Sequence, residues 1–238
     1  MHYRGIENMA NIRQIDFAGA ELFVHAEGDW RGFRSRACAK EPETASWLRD
    51  VIADGTVFFD IGACVGSYSL IAASLGATVH AFEPVAVNYA QLQRNLWLNR
   101  TVGTSAWPIA LASQNGPVII NLSSTNPGAA SHDVWPNTAT RASHDTGPTQ
   151  VAMGMKLDDF SGMFGLPAAR HIKIDVDGGE VDVLEGARAS LRTVRSVMIE
   201  TDATRLPDVS AILNGAGLVK TGSWERSGGQ RNHLFQRR

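Results

Sequence analysis

The stretch VFFDIGACVGSYSL, residues 57–70, constrains this chain more than any other part of it. An apolar run of strand pattern ends in the acid Asp60 and runs into a loop of small residues around Gly62 and Gly66, with a helical pattern behind. A strand, a glycine turn and a helix in that order are the opening of a nucleotide-binding α/β fold. There the helix N-terminus faces the ligand and the glycines let the chain turn tightly. The dinucleotide fingerprint G-x-G-x-x-G needs a glycine at its middle position so that backbone can approach a pyrophosphate. Here that position holds Cys64, Gly66 arrives one residue early, and Asp60 stands directly before the loop. A carboxylate repels a diphosphate and attracts a cation. The pattern therefore favours S-adenosylmethionine, with its ammonium and sulfonium, over a nicotinamide dinucleotide.

The rest of the chain repeats the alternation. EPETASWLRDVIADG reads as a helix with Pro42 in its first turn and Gly55 past its end. Behind the first strand and a helix from about Gly66 to Leu75 come a strand TVHAFE, a helix VAVNYAQLQRNLWLN, and a third strand near SAWPIALA. GPVIINLS is a further strand, and residues 123–150, rich in Ser, Thr, Asn, Pro and Gly, read as a long irregular binding loop. Then follow a strand HIKIDV, a helix EVDVLEGARASLRTV, a strand SVMIET, a helix LPDVSAILNGAG and a last strand around HLFQ. Strands alternating with helices predict a mostly parallel sheet covered on both faces, with ligands outside the carboxyl ends of the strands. Residues 1–40 read as a short N-terminal β/α extension, and 41–238 as one domain.

Glu83 closes the second strand, where a carboxylate accepts hydrogen bonds from both hydroxyls of a ribose. Before Pro84 it is equally placed as an ordinary acid at a helix start. A net charge of −2 gives no footprint for nucleic acid or an anionic membrane. The polar N-terminus and the lack of any long apolar run predict a cytoplasmic protein. Cys38 and Cys64 have neither disulfide-framework nor metal-ligand spacing.

Three blocks, VFFDIGACVGSYSL, HAFEPVAVNYAQLQRNLWLN and HIKIDVDGGEVDVLEGA, together with EPETASWL and KLDDF, resemble the FkbM family of S-adenosylmethionine-dependent methyltransferases over roughly residues 41–202. The resemblance implies a class I methyltransferase (Rossmann-like) fold with a seven-stranded sheet, and methyl transfer to a hydroxyl of a carbohydrate or secondary metabolite. It implies that Asp60, Gly62 and Ala63 face the methionine end of the cofactor, Glu83 the ribose, Ala110 and Leu111 the adenine, with Asp175 at the mouth of the fourth strand. The expected cofactor-binding set is completed by Glu43, Cys64, Ser67, Tyr68 and Pro84. Two positions depart from the family: Cys64 stands where Asn is usual, and ASQNG, with Ser113 and Gln114, replaces a common serine-aspartate pair.

Methyl transfer to an alcohol needs alignment and a base for the hydroxyl proton. Asp175 is the first candidate, Glu200 the next acid on the same rim. His132 and His144 in the long loop have a suitable pKa, and Trp135 could stack on a sugar. His171, at a strand start, reads as satisfying local backbone. Asp175, Asp177, Glu180 and Asp202 could gather magnesium, but Glu180 reads more simply as a helix-start acid, so no required metal is expected. A nicotinamide-dependent oxidoreductase and a non-catalytic scaffold of the same fold stand as alternatives. The acceptor's identity and the oligomeric state are not encoded legibly.

Overall fold

In the computed structural model, residues 11–26, 34–129, 133–136 and 147–238 are described here. Strands β1 (Ile12–Gln14) and β2 (Phe23–His25) form a small hairpin, followed by the short α1 (Ala37–Lys40) and by α2 (Pro42–Val51). Pro42 occupies the first turn of α2, where its missing N–H costs nothing. β3 (Val57–Ile61), α3 (Ser67–Ser74), β4 (Thr78–Phe82), α4 (Ala86–Leu98) and β5 (Thr104–Trp107) make the first alternating half. The second half holds β10 (His171–Ile174), α6 (Glu180–Glu185), β11 (Ser196–Asp202), α7 (Leu206–Gly215), β12 (Leu218–Glu225) and β13 (Gln230–Arg237).

Seven strands pair in the order β12-β13-β11-β10-β3-β4-β5. Only β13 runs against the others. The chain starts at the centre, moves outward through β4 and β5, then returns to β10 beside β3. Order reverses between β3 and β10, so a crevice opens at their carboxyl ends. Inner strands are buried almost throughout, as a sheet covered on both faces requires. One apolar cluster (Phe59, Phe82, Phe160, Ile172, Leu184, Val197) fills one face. The other (Phe58, Leu48, Leu70, Ile71, Leu92) also takes in Ile15, Phe17, Leu22 and Val24 of the N-terminal hairpin.

Three segments differ from the sequence expectation. The third strand divides at Pro108, which has no N–H to continue the ladder: β5 stays in the main sheet, while β6 (Ile109–Leu111) leaves it. β6 pairs with β9 (Thr149–Met155), and with β7 (Gly116–Asn121) and β8 (Asp133–Pro136) they form a second sheet, ordered β6-β9-β7-β8. The stretch expected to be an irregular loop thus carries β8, and its end opens β9. The helix expected over residues 180–194 stops at Glu185 and resumes only as a short turn at Ser190–Arg192. Gly186 caps it at a point of close packing, where a Cβ would lie 2.1 Å from the Ala112 carbonyl oxygen. Between β9 and β10 lies α5 (Leu157–Phe164), whose Leu157 and Phe160 enter the core.

Candidate active site

The turn after β3 is shaped by packing before any ligand is considered. Gly62 has φ +79, and a Cβ there would fall 1.8 Å from the Asp175 carbonyl oxygen. Gly66, at φ +87, would collide with Leu92. Cys64 adopts the left-handed region at φ +51, which a side chain with Cβ enters only at a cost. Its backbone N–H donates to Glu83 Oε2 at 2.8 Å, while Glu83 Oε1 accepts from the Val85 N–H at 2.8 Å. Glu83 therefore staples the glycine turn to the start of α4, and each oxygen keeps a second lone pair. Burial pushes its carboxyl up to about 7, although both N–H groups pull the other way.

Two cavities meet at this turn. The first, partly open to solvent, lies between apolar walls from Ile61, Phe82, Ile109, Leu111, Val118 and Val183, with Glu83 also lining it. The second, about 320 Å³, is polar and bordered by Arg34, Lys40, Ser67, Tyr68 and Lys173. Gly62 and Asp175 border both, so the two are lobes of one cleft. Of the residues expected to hold a cofactor, Pro84, Ala110 and Leu111 join Glu83 in the first lobe. Ala63, Cys64, Ser67 and Tyr68 line the second. Glu43 and Asp60 border neither. Glu43 accepts from Asn232 at 2.7 Å. Asp60 is buried under the turn, its Oδ2 accepting from Ser69 Oγ at 2.6 Å and its Oδ1 without a hydrogen bond among the described residues. Burial raises its pKa, with Lys173 and Ser69 opposing.

At the rim, four strand ends and the α1–α2 junction bring together a cluster of charges. Lys173 Nζ donates to Asp175 Oδ2 at 2.8 Å and sits 4.9 Å from the centre of the Tyr68 ring. Burial opposes the Asp175 charge, yet Lys173 and Lys40 hold its carboxyl down to about 2. Glu41, fully buried, is met by Lys40 at 3.1 Å, Arg226 at 2.9 Å and the Thr44 hydroxyl at 3.1 Å. Glu200 joins the same cluster beside Asp175 but borders neither lobe. Its nearest donor is Arg226 Nε at 3.4 Å, beyond an ordinary N–H···O distance. Burial, then the Asp175 and Glu41 carboxylates, push Glu200 up to about 7. Carboxylate oxygens of Glu41, Asp175 and Glu200 lie within 4.8 Å of one another, the spacing of a metal site. Lys40, Lys173 and Arg226 already balance those three charges.

The acids expected as an alternative magnesium set divide instead. Arg205 pairs with Asp202 and reaches Glu180 at 3.9 Å, while Asp175 belongs to the rim cluster. His171 Nδ1 bonds the Ser196 hydroxyl at 2.7 Å, which also accepts from Trp47 Nε1 at 2.9 Å, so its partner is a side chain rather than backbone. His132, His144 and the Trp135 side chain lie outside the described residues. The start of the long segment is fastened across the glycine turn. Arg34 donates to the Gly128 carbonyl at 2.6 and 3.0 Å, Gly128 N–H donates to Asn88, and Asn88 donates to the Ala129 carbonyl at 3.2 Å.

Sequence reasoning missed Lys173, Lys40, Glu41, Arg34 and Arg226. A lysine inside the apolar strand HIKID, two residues before an aspartate on the same strand face, was a readable sign of a buried ion pair. Nothing in the sequence pointed to Arg34 or Arg226, which reach the site from distant loops.

The family model of the methyltransferase FkbM domain matches residues 60–216, the span from the glycine turn through α7. The chain belongs to the FkbM methyltransferase family. Among curated relatives, it is 28% identical over 190 residues to the hexuronic acid methyltransferase AglP of Haloferax volcanii, covering 78% of this chain and 73% of that one. It is 30% identical over 191 residues to the 31-O-demethyl-FK506 methyltransferase FkbM of Streptomyces tacrolimicus, covering 69% and 73%. Among solved structures, the FkbM methyltransferase of Methylobacillus flagellatus superposes with a TM-score of 0.54 at 14% identity, over 86% of this chain and 62% of that one. The magnesium protoporphyrin IX methyltransferase of Synechocystis, solved with SAM bound, gives 0.52 at 14% identity, over 87% and 85%. The fold is that of the class I methyltransferases, and the FkbM-family chain is a methyltransferase. No described helix is long and apolar enough to cross a membrane.

Proposed function

We propose that this FkbM-family enzyme uses S-adenosylmethionine to methylate a hydroxyl of a carbohydrate or small secondary metabolite. The observation that carries the reading is the two-lobed cleft at the reversal of strand order, apolar on the β4 side and charged on the α1 side, joined at Gly62 and Asp175. A purine nucleoside fits the apolar lobe, with Glu83 free to accept from ribose hydroxyls through its remaining lone pairs. A zwitterionic amino-acid end suits the second lobe, where Arg34 and Lys40 face Asp175.

When bound, S-adenosylmethionine supplies an electrophilic methyl on a sulfonium leaving group. The chain's own task is to hold the acceptor oxygen in line and to receive its proton. Lys40, Lys173 and Arg226 already pair with the rim carboxylates, so we assign no metal to this task. The acceptor class is supported by two relatives, one named as a hexuronic acid methyltransferase and one as a 31-O-demethyl-FK506 methyltransferase.

Calorimetric titration with S-adenosylmethionine, S-adenosylhomocysteine and NAD tests the reading. Saturable binding of the first two is expected, weakened about tenfold or more by Glu83→Ala through loss of ribose contacts. Binding of NAD alone would refute it. A labelled-methyl screen across uronic acids, neutral sugars and polyols would then identify the acceptor.

A further inference from the structure

We infer that Glu200, rather than Asp175, takes the proton from the acceptor hydroxyl, and that Lys173 is a positioning residue that keeps Asp175 permanently ionised. The assignment rests on the methyl-transfer reading above.

The geometry separates the rim acids by what already occupies them. Asp175 is bound to Lys173 at 2.8 Å. Protonating it would break a charge-assisted hydrogen bond inside a buried cluster, so it has little tendency to accept a proton. Glu41 is saturated by Lys40, Arg226, Thr44 and Asn232 and has no exposed surface. Glu200 is held only by the 3.4 Å contact to Arg226 Nε; its side chain is 19% exposed, close to the 23% of Asp175, so what separates the two is the Lys173 hydrogen bond and not solvent access. It projects from the carboxyl end of β11, next to β10, with its carboxylate within 4.8 Å of Asp175, the residue shared by both lobes.

The groups facing Glu200 are Asp175 and Lys173 from β10, Glu41 and Lys40 from the α1–α2 junction, and Arg226 from the β12–β13 turn. Burial first, then the Asp175 and Glu41 carboxylates, raise its proton affinity against the pull of Lys173 and Lys40, toward the range where a general base is most effective. In the transfer, the acceptor O–H bond breaks toward Glu200 as the new O–CH3 bond forms. The S–CH3 bond breaks with its electron pair passing to sulfur, leaving a neutral thioether and a protonated Glu200 that returns its proton to water.

The test needs no acceptor. Sinefungin carries an amine where S-adenosylmethionine carries its methyl-sulfonium, whereas S-adenosylhomocysteine carries no charge there. Calorimetry of both ligands between pH 5.5 and 8.5 reads the charge of whichever acid faces that position. The preference for sinefungin is expected to grow about tenfold as Glu200 ionises. In Glu200→Gln the preference should become flat with pH, with S-adenosylhomocysteine affinity unchanged. In Asp175→Asn the pH-dependent rise should persist and move to lower pH, because a like charge beside Glu200 is gone. A wild-type pH response in Glu200→Gln, or a flat one in Asp175→Asn only, would overturn the assignment. Failure of the wild-type protein to bind either ligand would instead overturn the methyl-transfer reading beneath it. Lys173→Met separates position from chemistry. It should shift the pH response of the sinefungin preference without abolishing it, and an unshifted response would remove Lys173 from the positioning role.

Discussion

Replacing Glu200 by glutamine should stabilise the protein at high pH and leave it unchanged at low pH. The carboxyl of Glu200 rises from 4.5 to about 7 in the folded chain, through burial and the Asp175 and Glu41 charges. Below about pH 4.5 it is protonated in both states and costs nothing. As pH rises toward 7 the unfolded chain ionises first, and folding becomes progressively less favourable. Above 7 the full penalty applies. A shift of that size corresponds to about 3 kcal/mol at roughly 1.4 kcal/mol per unit. Partial exposure and the coupling to Asp175 reduce the expectation to about 1–2 kcal/mol. For a chain of this length that is a gain of roughly 3–6 °C in Tm at pH 8, vanishing near pH 4.5. Urea denaturation of both proteins at half-unit pH steps would measure the difference, in which contributions common to the two cancel. A difference that is constant with pH, or a variant less stable than wild type at pH 8, would refute the electrostatic account of the rim.

Other outcomes follow from the same geometry. Cys64→Asn should raise stability by about 0.5–1 kcal/mol, since asparagine tolerates the left-handed region better than cysteine; an unchanged denaturation midpoint would count against strain at that position. Gly62→Ala should cost more than about 3 kcal/mol and abolish cofactor binding, because the methyl meets the Asp175 carbonyl in a conformation already closed to it; a soluble, binding-competent variant would contradict this. Lys173→Met should cost about 3–5 kcal/mol by leaving Asp175 and Glu41 under-compensated, and near wild-type stability would show that the cluster is not balanced by Lys173. Dialysis against EDTA should leave methyl transfer intact, and activity restored only by added magnesium would assign a metal to Glu41, Asp175 and Glu200.

The main sheet was legible because its inner strands are short apolar runs ending in acids, each followed by a helix pattern. That rhythm also placed Glu83 and Asp175 at strand ends, which is where the cleft has them. The second sheet was not legible. β8 and β9 lie among Ser, Thr, Asn and Pro residues, and β9 exposes Val151 and Met153, so neither composition nor alternation marks a strand against a core. Pro108 was visible, but one strand and two shorter ones read alike until it is known that the halves pair with different partners. Asp60 shows a different limit. Its position before the glycine turn was readable, whereas its burial against Ser69 depends on how α3 packs. The charged rim was half legible: Asp175 and Glu200 lie toward the carboxyl ends of strands, while Glu41 is brought to them from more than a hundred positions away and Arg226 from the β12–β13 turn.

The departure of the chain from the main sheet at Pro108 makes one wall of the apolar lobe a lodger in another structure. Ile109, Ala110 and Leu111 are held in place by Met153, Gly154 and Met155 of β9, and Gly154 lies so close to β7 that a Cβ would come within 2.7 Å of Val118. Remodelling the outer sheet to admit a bulkier acceptor would therefore tilt the wall that we propose holds the purine. Variants selected for new acceptors should carry compensating changes at β6 or Val118, and tighter or looser grip on the methyl donor should travel with altered selectivity.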